Sequence, residues 1–386
     1  MLGLLDARAY HHGPPVATSQ SSASPPDPRT ETHKLAPTMS QPPIRALGLM
    51  SGGLDSTLAA SLLQRLGIEV LGLHFSTGFC VADRHRIMGN ANNRNKPYRN
   101  DALHAGGQLQ IPVEIIDIKE DYLSEVVLNP KHGYGSGMNP CIDCRIFMLK
   151  RAKVMLEEGG YDFIFTGEVL GQRPMSQRRP PMQAIERETE LDGLLLRPLS
   201  AKLLPPTIPE QKGWICRDDL YGISGRSRHE QMRLADEFGL IDYPQPAGGC
   251  CFLPDENFAR KLRDLLADRG NVVDPDDMML LKVGRHFRLG DGVKIIVGRH
   301  EAENDFLERF RVGRGALWVE EFSSPLTLIE GAPSAEQLEL ACKITARYCS
   351  GRAESEVPVH WHLDEHEGQL VVEPVREDGF LDEIRI

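Results

Sequence analysis

The 386-residue chain has no apolar run long enough for a membrane-spanning helix. Its N-terminus lacks the charged, apolar and small-residue order of a secretory signal. No internal repeat is apparent, which argues against a solenoid or propeller. The eight cysteines are unevenly spaced in a chain of cytosolic character, so a disulfide framework is not expected. The net charge is −11, so there is no overall basic surface to hold nucleic acid. These absences leave a soluble, cytoplasmic globular protein. Its length and 41% hydrophobic content allow two or three domains with a sizeable core.

The clearest positive feature is Leu47-Gly48-Leu49-Met50 running into Ser51-Gly52-Gly53-Leu54-Asp55-Ser56. A short apolar strand ends in a hydroxyl- and glycine-rich turn. A helix follows, with Leu54, Leu58, Leu62 and Leu66 on one face and Gly67 as its stop. Such a turn suits a pyrophosphate. Gly52 and Gly53 let backbone approach, Ser51 and Ser56 offer hydroxyls, and the helix start offers unpaired N–H groups. Asp55 repels phosphate and makes sense as a ligand to a bridging Mg2+. An ordinary strand–turn–helix connection is the bland alternative. No Gly-Lys-Ser/Thr follows, so the turn is not a Walker A loop.

Further strands are expected at 70–75, 112–118, 163–165 and 194–196, alternating with helices at 121–128 and 142–158. In the latter helix, Ile142, Ile146, Leu149, Ala152 and Leu156 recur every three or four residues, and Gly159-Gly160 is its stop. His74 on the second strand is a further candidate nucleotide contact. The isoleucine-rich run at 112–118 reads as a strand covered on both faces. This alternation predicts an α/β fold, a doubly wound parallel sheet, with ligands beyond the carboxyl ends of its strands. Residues 51–56, Thr166 to Gln172 and Arg197 all follow strand ends and are expected to converge. A polar stretch at 83–100 reads as an excursion or lid. Helices are expected at 226–238 and 258–268. Segments 279–289 and 293–297 flank Gly290-Asp291-Gly292 as a hairpin. Ser334, with Gln337, begins a helix to about residue 348, and strands follow at 357–361 and 370–375.

Four regions emerge. Residues 1–43, rich in Pro, Ser, Thr and Ala, are expected to be a disordered tail; Met39 offers an alternative start. Residues 44–225 form the nucleotide-binding domain, 226–274 a helical extension, and 275–386 a smaller C-terminal α+β domain. Charge is segregated among them. The last region holds 13 Lys/Arg against 22 Asp/Glu, yet its stretch 282–299 holds five basic residues and one Asp. Local basic surface, rather than the total, decides phosphate contact.

Cys141-x-x-Cys144 is expected to open a helix, a position that lowers thiol pKa. Two thiols do not complete a site. Cys250, after Gly248-Gly249, is the best further source, with Cys251 next. Zinc and iron–sulfur both suit thiolates, so the donor set does not choose between them.

Residues 51–56 resemble the PP-loop of the ATP pyrophosphatase superfamily, whose fold is adenine nucleotide alpha hydrolase-like. Asn139-Pro140-Cys141-Ile142-Asp143-Cys144 resembles the tRNA thiouridylases. Thr166-Gly167-Glu168-Val169-Leu170-Gly171-Gln172, Ser176-Gln177 and Arg197-Pro198-Leu199-Ser200 look like tRNA 4-thiouridine synthetases. Pro246-Ala247-Gly248-Gly249-Cys250 is similar to the third-cysteine motif of cluster-dependent members. The resemblance covers about 44–268. It implies ATP bound by Ser51, Gly52, Gly53, Asp55, Ser56, His74, Thr166 and Gly167. It also implies a 4Fe–4S cluster on Cys141, Cys144 and Cys250, with Asp55, Cys141 and Cys250 catalytic. Cys251 stands where an aliphatic residue is expected. Neither an RNA-binding domain before the loop nor a rhodanese-like carrier after it is recognisable.

The reaction so implied begins with attack of a uridine carbonyl oxygen on the α-phosphate of ATP. Sulfide on the cluster, or a cysteine persulfide, then displaces AMP. The implied partners are tRNA and a sulfur donor, either inorganic sulfide or a persulfide-carrying cysteine desulfurase, with a homodimer as a further candidate. Residues 284–287 and 297–304 are similar to the RNA-binding module of the NFACT family. Arg173, Arg178, Arg179, Arg285, Arg288 and Arg299 are therefore the candidate RNA contacts; solvated charged loops are the alternative. Two rival functions remain: an ammonia-using synthetase, which leaves the cysteines idle, and a non-catalytic zinc-bound RNA-binding protein, which leaves the phosphate turn idle.

Overall fold

The computed structural model describes residues 42–81, 99–244, 250–290 and 292–386. Nearly all of the expected tail at 1–43, most of the excursion at 83–100, and 246–249 of the third-cysteine motif lie outside the described residues.

Five parallel strands form the first sheet: β1 (Arg45–Leu49), β2 (Glu69–Ser76), β3 (Val113–Asp117), β4 (Phe163–Thr166) and β5 (Leu195–Leu196). Their order is β3-β2-β1-β4-β5, with β1 central, as a doubly wound sheet requires. Alternation along β1 divides the core. Leu47 and Leu49 enter one apolar cluster, and Ala46 and Met50 enter the other. Helix α1 (Leu54–Arg65) and helix α2 (Asp101–Leu109) pack into the second cluster. Helix α3 (Cys141–Gly159) buries Ile146, Leu149, Ala152 and Leu156 in the first, at the expected helical spacing. Gly160 ends it in the left-handed conformation, with φ of 65°. Helix α4 (Arg179–Thr189) lies between β4 and β5 in sequence, with Ile185 in the first cluster.

Several expectations need correction. β3 is an edge strand, and Ile115 on it is exposed, so its isoleucines do not mark a doubly covered strand. The helix expected at 121–128 is one α-helical turn (Lys119–Tyr122) running into a π-helical turn (Leu123–Val127). The extension 226–274 carries its two expected helices, which pack on opposite faces of the sheet. Helix α5 (His229–Phe238) places Leu234 and Ala235 on one face of the sheet, whereas helix α6 (Glu256–Arg269) places Phe258, Leu262 and Leu265 on the other.

The strand expected at 279–289 shrinks to β6 (Arg285–Arg288). The preceding residues form helix α7 (Pro275–Leu280), because Asp274 caps it, Pro275 fits its first turn and Asp277 completes a capping box. Met278 and Leu281 pack into the first domain, while Leu280 and Val283 pack into the C-terminal one. The seam between the domains therefore falls in this helix and the turn after it.

The C-terminal sheet is antiparallel. It comprises β6, β7 (Lys294–Val297), β8 (Gly315–Trp318), β9 (Thr327–Glu330), β10 (Val357–Leu363) and β11 (His366–Val372), in the order β11-β10-β8-β9-β7-β6. Ile296 faces Phe306 and Leu307 of helix α8 (Glu301–Glu308). Its neighbours Ile295 and Val297 face Ala341, Cys342 and Ile344 of helix α9 (Ala335–Arg347). Helices thus cover both faces. The expected Ser334–Gln337 capping box starts α9.

Glu168, just beyond β4, joins the parts of the first domain. It is 2% exposed. Its Oε1 lies 3.2 Å from Arg145 Nε on α3, and its Oε2 accepts from Arg197 Nε beyond β5 at 3.0 Å. Thr166 Oγ1 donates to the same Oε2 at 3.3 Å, and Arg197 also pairs with Glu186 of α4. Burial alone would raise the Glu168 pKa, but Arg145 and Arg197 override it and hold the carboxyl below its ordinary value.

Glu168→Gln is predicted to lower stability near neutral pH by about 3–5 kcal/mol, because Arg197 would remain buried without its main counter-charge. The folded pKa is depressed, so this contribution is complete above the unfolded-state value near 4.5 and fades as pH falls through the folded value. Urea unfolding of both proteins at neutral and acidic pH checks it: the gap between them should narrow below about pH 4.5.

Candidate functional site

The phosphate turn is built as its residue types require. Gly52 has φ of 76°, and a Cβ there would stand 2.2 Å from the Asp101 carbonyl carbon at the start of α2. Only glycine fits. Ser51 Oγ lies 3.2 Å from Ser56 Oγ, and Ser56 and Thr57 each donate to the Gly53 carbonyl at 3.0 Å. Helix α1 has no side-chain cap at Gly53, so the start of the helix remains available to an anion. Gly167 closes against it: a Cβ there would stand 2.4 Å from Ser56 N and 2.5 Å from the Asp55 carbonyl carbon.

Asp55 is the most constrained acid of the site. Its Oδ2 accepts from Gln172 Nε2 at 2.7 Å and from Arg228 Nη1 at 2.8 Å. Its Oδ1 is buried with no hydrogen-bond partner. An orphaned carboxylate oxygen beside a phosphate turn fits a cation ligand. Gln172 in turn accepts from Gln231 Nε2 at 3.0 Å. Arg228 and Gln231, at the start of α5, were not foreseen. No motif marks them; the only sequence signal was basic residues ahead of a helix.

Other expected nucleotide contacts lie one step back. His74 Nδ1 is 2.9 Å from the Met50 carbonyl oxygen and braces the residue before the turn. The Thr166 hydroxyl turns to Glu168. Arg197 does not reach the turn; it joins the site through Glu168.

The thiols do gather. Cys141, Cys144 and Cys250 lie near enough to influence one another's ionisation. Cys141 Sγ donates to Asn139 Oδ1 at 3.0 Å. Cys144 contacts the buried Tyr122. The expectation of thiolates at Cys141 and Cys144 is overturned: burial raises both, Cys144 to about 12, and outweighs the helix start. The acidic thiol is Cys250. A hydrogen bond from Cys251 holds it well below the usual thiol range against desolvation, with Arg173 and Arg145 helping. The same contact keeps Cys251 protonated. Arg145, next to Cys144 in sequence, was the overlooked cation of the motif.

The expected cluster ligands are therefore neighbours engaged with other partners. Among the described residues, no three His, Cys, Asp or Glu side chains are disposed to hold a metal ion. As placed, the thiols do not form a ligand set.

The candidate RNA contacts divide. Arg178 and Arg179 are exposed, whereas Arg173 is half-buried beside Cys141 and Cys250. The basic C-terminal stretch is compensated internally, which corrects its reading as free positive surface. Arg288 pairs with Asp264 (2.5 Å) and Asp268 (3.2 Å), and Arg299 pairs with Glu303. Lys294 pairs with Glu330 at 2.8 Å, and Arg285 stacks on Tyr348 at 4.5 Å.

Comparison with known proteins agrees with this two-part architecture. Residues 45–187 match the family model of the tRNA methyl transferase HUP domain, and residues 284–383 match that of the NFACT protein RNA binding domain. A tRNA-specific 2-thiouridylase MnmA from Xanthobacter autotrophicus is 28% identical over 63% of this chain and 59% of its own length. The chain thus spans about three-fifths of that relative. A namesake from Nocardioides sp. is 26% identical over 85% of this chain and 87% of its own. A 4-thiouridine synthetase–RNA complex with bound ATP aligns with a TM-score of 0.33 and 19% identity, over 58% of this chain and 50% of the other. The resemblances to thiouridylases and to the NFACT module are borne out. Iron–sulfur dependence has no counterpart among these matches. Among the described residues, no helix is long and apolar enough to cross a membrane.

In reduced, chelator-treated protein, Cys250 should alkylate faster at neutral pH than Cys141 or Cys144. Arg173→Ala should move the pH midpoint of Cys250 alkylation upward, since a stabilising cation is lost. Mass-spectrometric mapping of alkylated peptides against pH checks both; faster labelling of Cys141 would contradict the assignment.

Proposed function

We propose that this chain is an ATP-dependent tRNA uridine sulfurtransferase of the cytoplasm. The observation that carries the reading is the shared wall between its two sites. Gly167 packs on the phosphate turn, and its neighbour Glu168 holds Arg145, which faces the thiols. An ammonia-using synthetase has no need of the second site.

In this reading Ser51, Gly52, Gly53 and Ser56 hold the ATP phosphates, with Gly167 closing the turn. Asp55 and its unpartnered oxygen would hold Mg2+, which when bound neutralises phosphate charge. A uridine carbonyl oxygen attacks the α-phosphate and pyrophosphate leaves. The helix start, and Arg228 beside Asp55, would offset charge at the phosphates. Inorganic sulfide adds to the activated carbon directly, the carbon–oxygen bond breaks, and AMP departs. With a persulfide carrier R–S–SH, Cys250, beside Arg173 and Arg145, takes the outer sulfur and releases R–S⁻. Once that sulfur is bonded to the uridine carbon, Cys141 attacks the Cys250 sulfur, and the thiolated base leaves as the two cysteines become a disulfide. The resemblance adds a 4Fe–4S cluster on Cys141, Cys144 and Cys250, which when bound supplies an open iron for sulfide. The described side chains are not arranged as that ligand set, and the steps above stand on the thiols alone. The C-terminal domain positions tRNA. A second copy of the chain remains a candidate partner.

Asp55→Ala should abolish tRNA-dependent pyrophosphate release from ATP and the appearance of thiolated nucleoside, with the fold retained by circular dichroism. Wild-type ATP consumption in this variant would mean that the site is misassigned. Iron and sulfide analysis of anaerobically prepared protein tests the cluster separately. Iron lost in each of Cys141→Ala, Cys144→Ala and Cys250→Ala supports it, and full activity without iron removes it.

Arg178→Ala/Arg179→Ala should weaken tRNA binding and reduce the slope of log affinity against log salt by roughly 1–2, leaving ATP affinity unchanged. Arg288→Ala should instead lower thermal stability, since it opens ion pairs with Asp264 and Asp268. A salt titration of tRNA binding, run beside thermal melts, separates the two roles. An unchanged slope in the double variant would make those arginines a solvated loop.

A further inference from the structure

Cys80 and Cys251 are among the cysteines that the reaction above does not use. Cys251 stands where the resemblance leads one to expect an aliphatic residue, and Cys80 lies just beyond β2 in a different part of the sequence. The fold pairs them directly. Cys80 and Cys251 form an isolated antiparallel β-bridge. Phe252 N donates to the Phe79 carbonyl at 3.0 Å, and Val81 N donates to the Cys250 carbonyl at 3.3 Å. Those two bonds flank the cysteines, which makes them a non-hydrogen-bonded pair. In such a pair the side chains share one face, and the Cα atoms stand about 4.5 Å apart. That spacing falls inside the range of about 4.4–6.8 Å that a disulfide spans without backbone movement. Both residues are partly accessible, and both are thiols in this structure.

The pairing has a second consequence. The segment at 250–252 carries Cys250, and its hydrogen bonds to 79–81 are what hold it beside β2. The Cys251 thiol contacts Cys250. A bond from Cys251 to Cys80 would turn that thiol away from Cys250 and fasten the loop covalently.

We propose that Cys80 and Cys251 are a dithiol–disulfide modification site at the rim of the thiol centre, oxidised by low-molecular-weight disulfides and reset by dithiols. The chemistry is two exchanges. One thiol of the pair, as thiolate, attacks a sulfur of R–S–S–R and releases R–S⁻, leaving a mixed disulfide. The facing thiol attacks the protein sulfur of that mixed disulfide, passing its proton to a neighbouring base (for Cys251, the Cys250 sulfur it contacts), and releases the second R–S⁻. The two cysteines lose two protons and two electrons, and R–S–S–R becomes two R–SH. A dithiol reverses both steps. The oxidised form lacks the Cys251–Cys250 contact and is the less active one.

The experiment uses the full chain, first reduced and then treated with excess glutathione disulfide, with free thiols blocked before peptide mapping under non-reducing conditions. The expected result is a peptide pair linked through Cys80 and Cys251, lost on treatment with dithiothreitol. Cys80→Ser and Cys251→Ser should each reduce that link to background while keeping the wild-type melting temperature. Cys80→Ser should also keep its activity after oxidation under conditions that silence the wild type. A link from Cys251 to Cys141, Cys144 or Cys250 instead, or no Cys80 link at saturating oxidant, overturns the proposal. The mapping reads no tRNA chemistry, so its failure leaves the sulfurtransferase reading untouched, and the reverse also holds.

Discussion

Glu168 is buried between two guanidinium groups, and the first domain is organised around that contact. A carboxylate without counter-charge in such a place would cost several kcal/mol, so Arg145 and Arg197 are held there as firmly as they hold it. Each arginine brings an element with it. Arg145 brings α3 and its two cysteines, and Arg197 brings the end of β5 and, through Glu186, α4. Glu168 itself follows Gly167, whose lack of a side chain lets β4 end against the phosphate turn. The glycine-rich turn and the thiol region are therefore linked through one ion-paired carboxylate as well as through the sheet.

The same economy of charge explains the C-terminal domain. Its basic stretch looked free because the compensating acids lie outside the stretch, Glu303 one helical turn beyond it and the others far along the chain. Asp264 and Asp268 come from α6, Glu330 from β9 and Glu303 from α8. Four of the five cations in that stretch were candidates for surface charge only until folding supplied their partners. Lys294 and Arg299 are ion-paired, Arg288 is shared between two aspartates, and Arg285 rests on an aromatic ring. An RNA surface on this domain, in keeping with its family match, must use other groups or displace these pairs.

Much of the fold was legible in the sequence because its signals are local. The phosphate turn, the helix spacing of Ile146, Leu149, Ala152 and Leu156, the stop at Gly160 and the Ser334–Gln337 box each depend on residues within a turn or two. Most of what failed depends on long-range context. The isoleucines of β3 do not reveal that the strand lies at an edge. One miss was local: Asp274, Pro275 and Asp277 start a helix that runs through Leu280, into the first residues of the strand expected at 279–289. The site shows the same division. Ser51 to Ser56 could be read directly, whereas Arg228 and Gln231 reach Asp55 and Gln172 from a helix far along the chain, with no motif to announce them. The thiol chemistry was misread for a physical reason: a helix start favours thiolate, but burial of Cys141 and Cys144 costs more, and the thiol shifted toward thiolate is Cys250, elsewhere in the chain.

The central claim is that ATP activates a uridine oxygen and that sulfur then replaces it. The most direct measurement follows that oxygen. A tRNA whose uridine carbonyls carry heavy oxygen is incubated with the enzyme, ATP and sulfide, and the AMP produced is analysed by mass spectrometry. Adenylation of the base predicts one heavy oxygen in AMP for each thiolated uridine formed. Unlabelled AMP, with the heavy oxygen recovered in water or retained in the tRNA, would contradict the account.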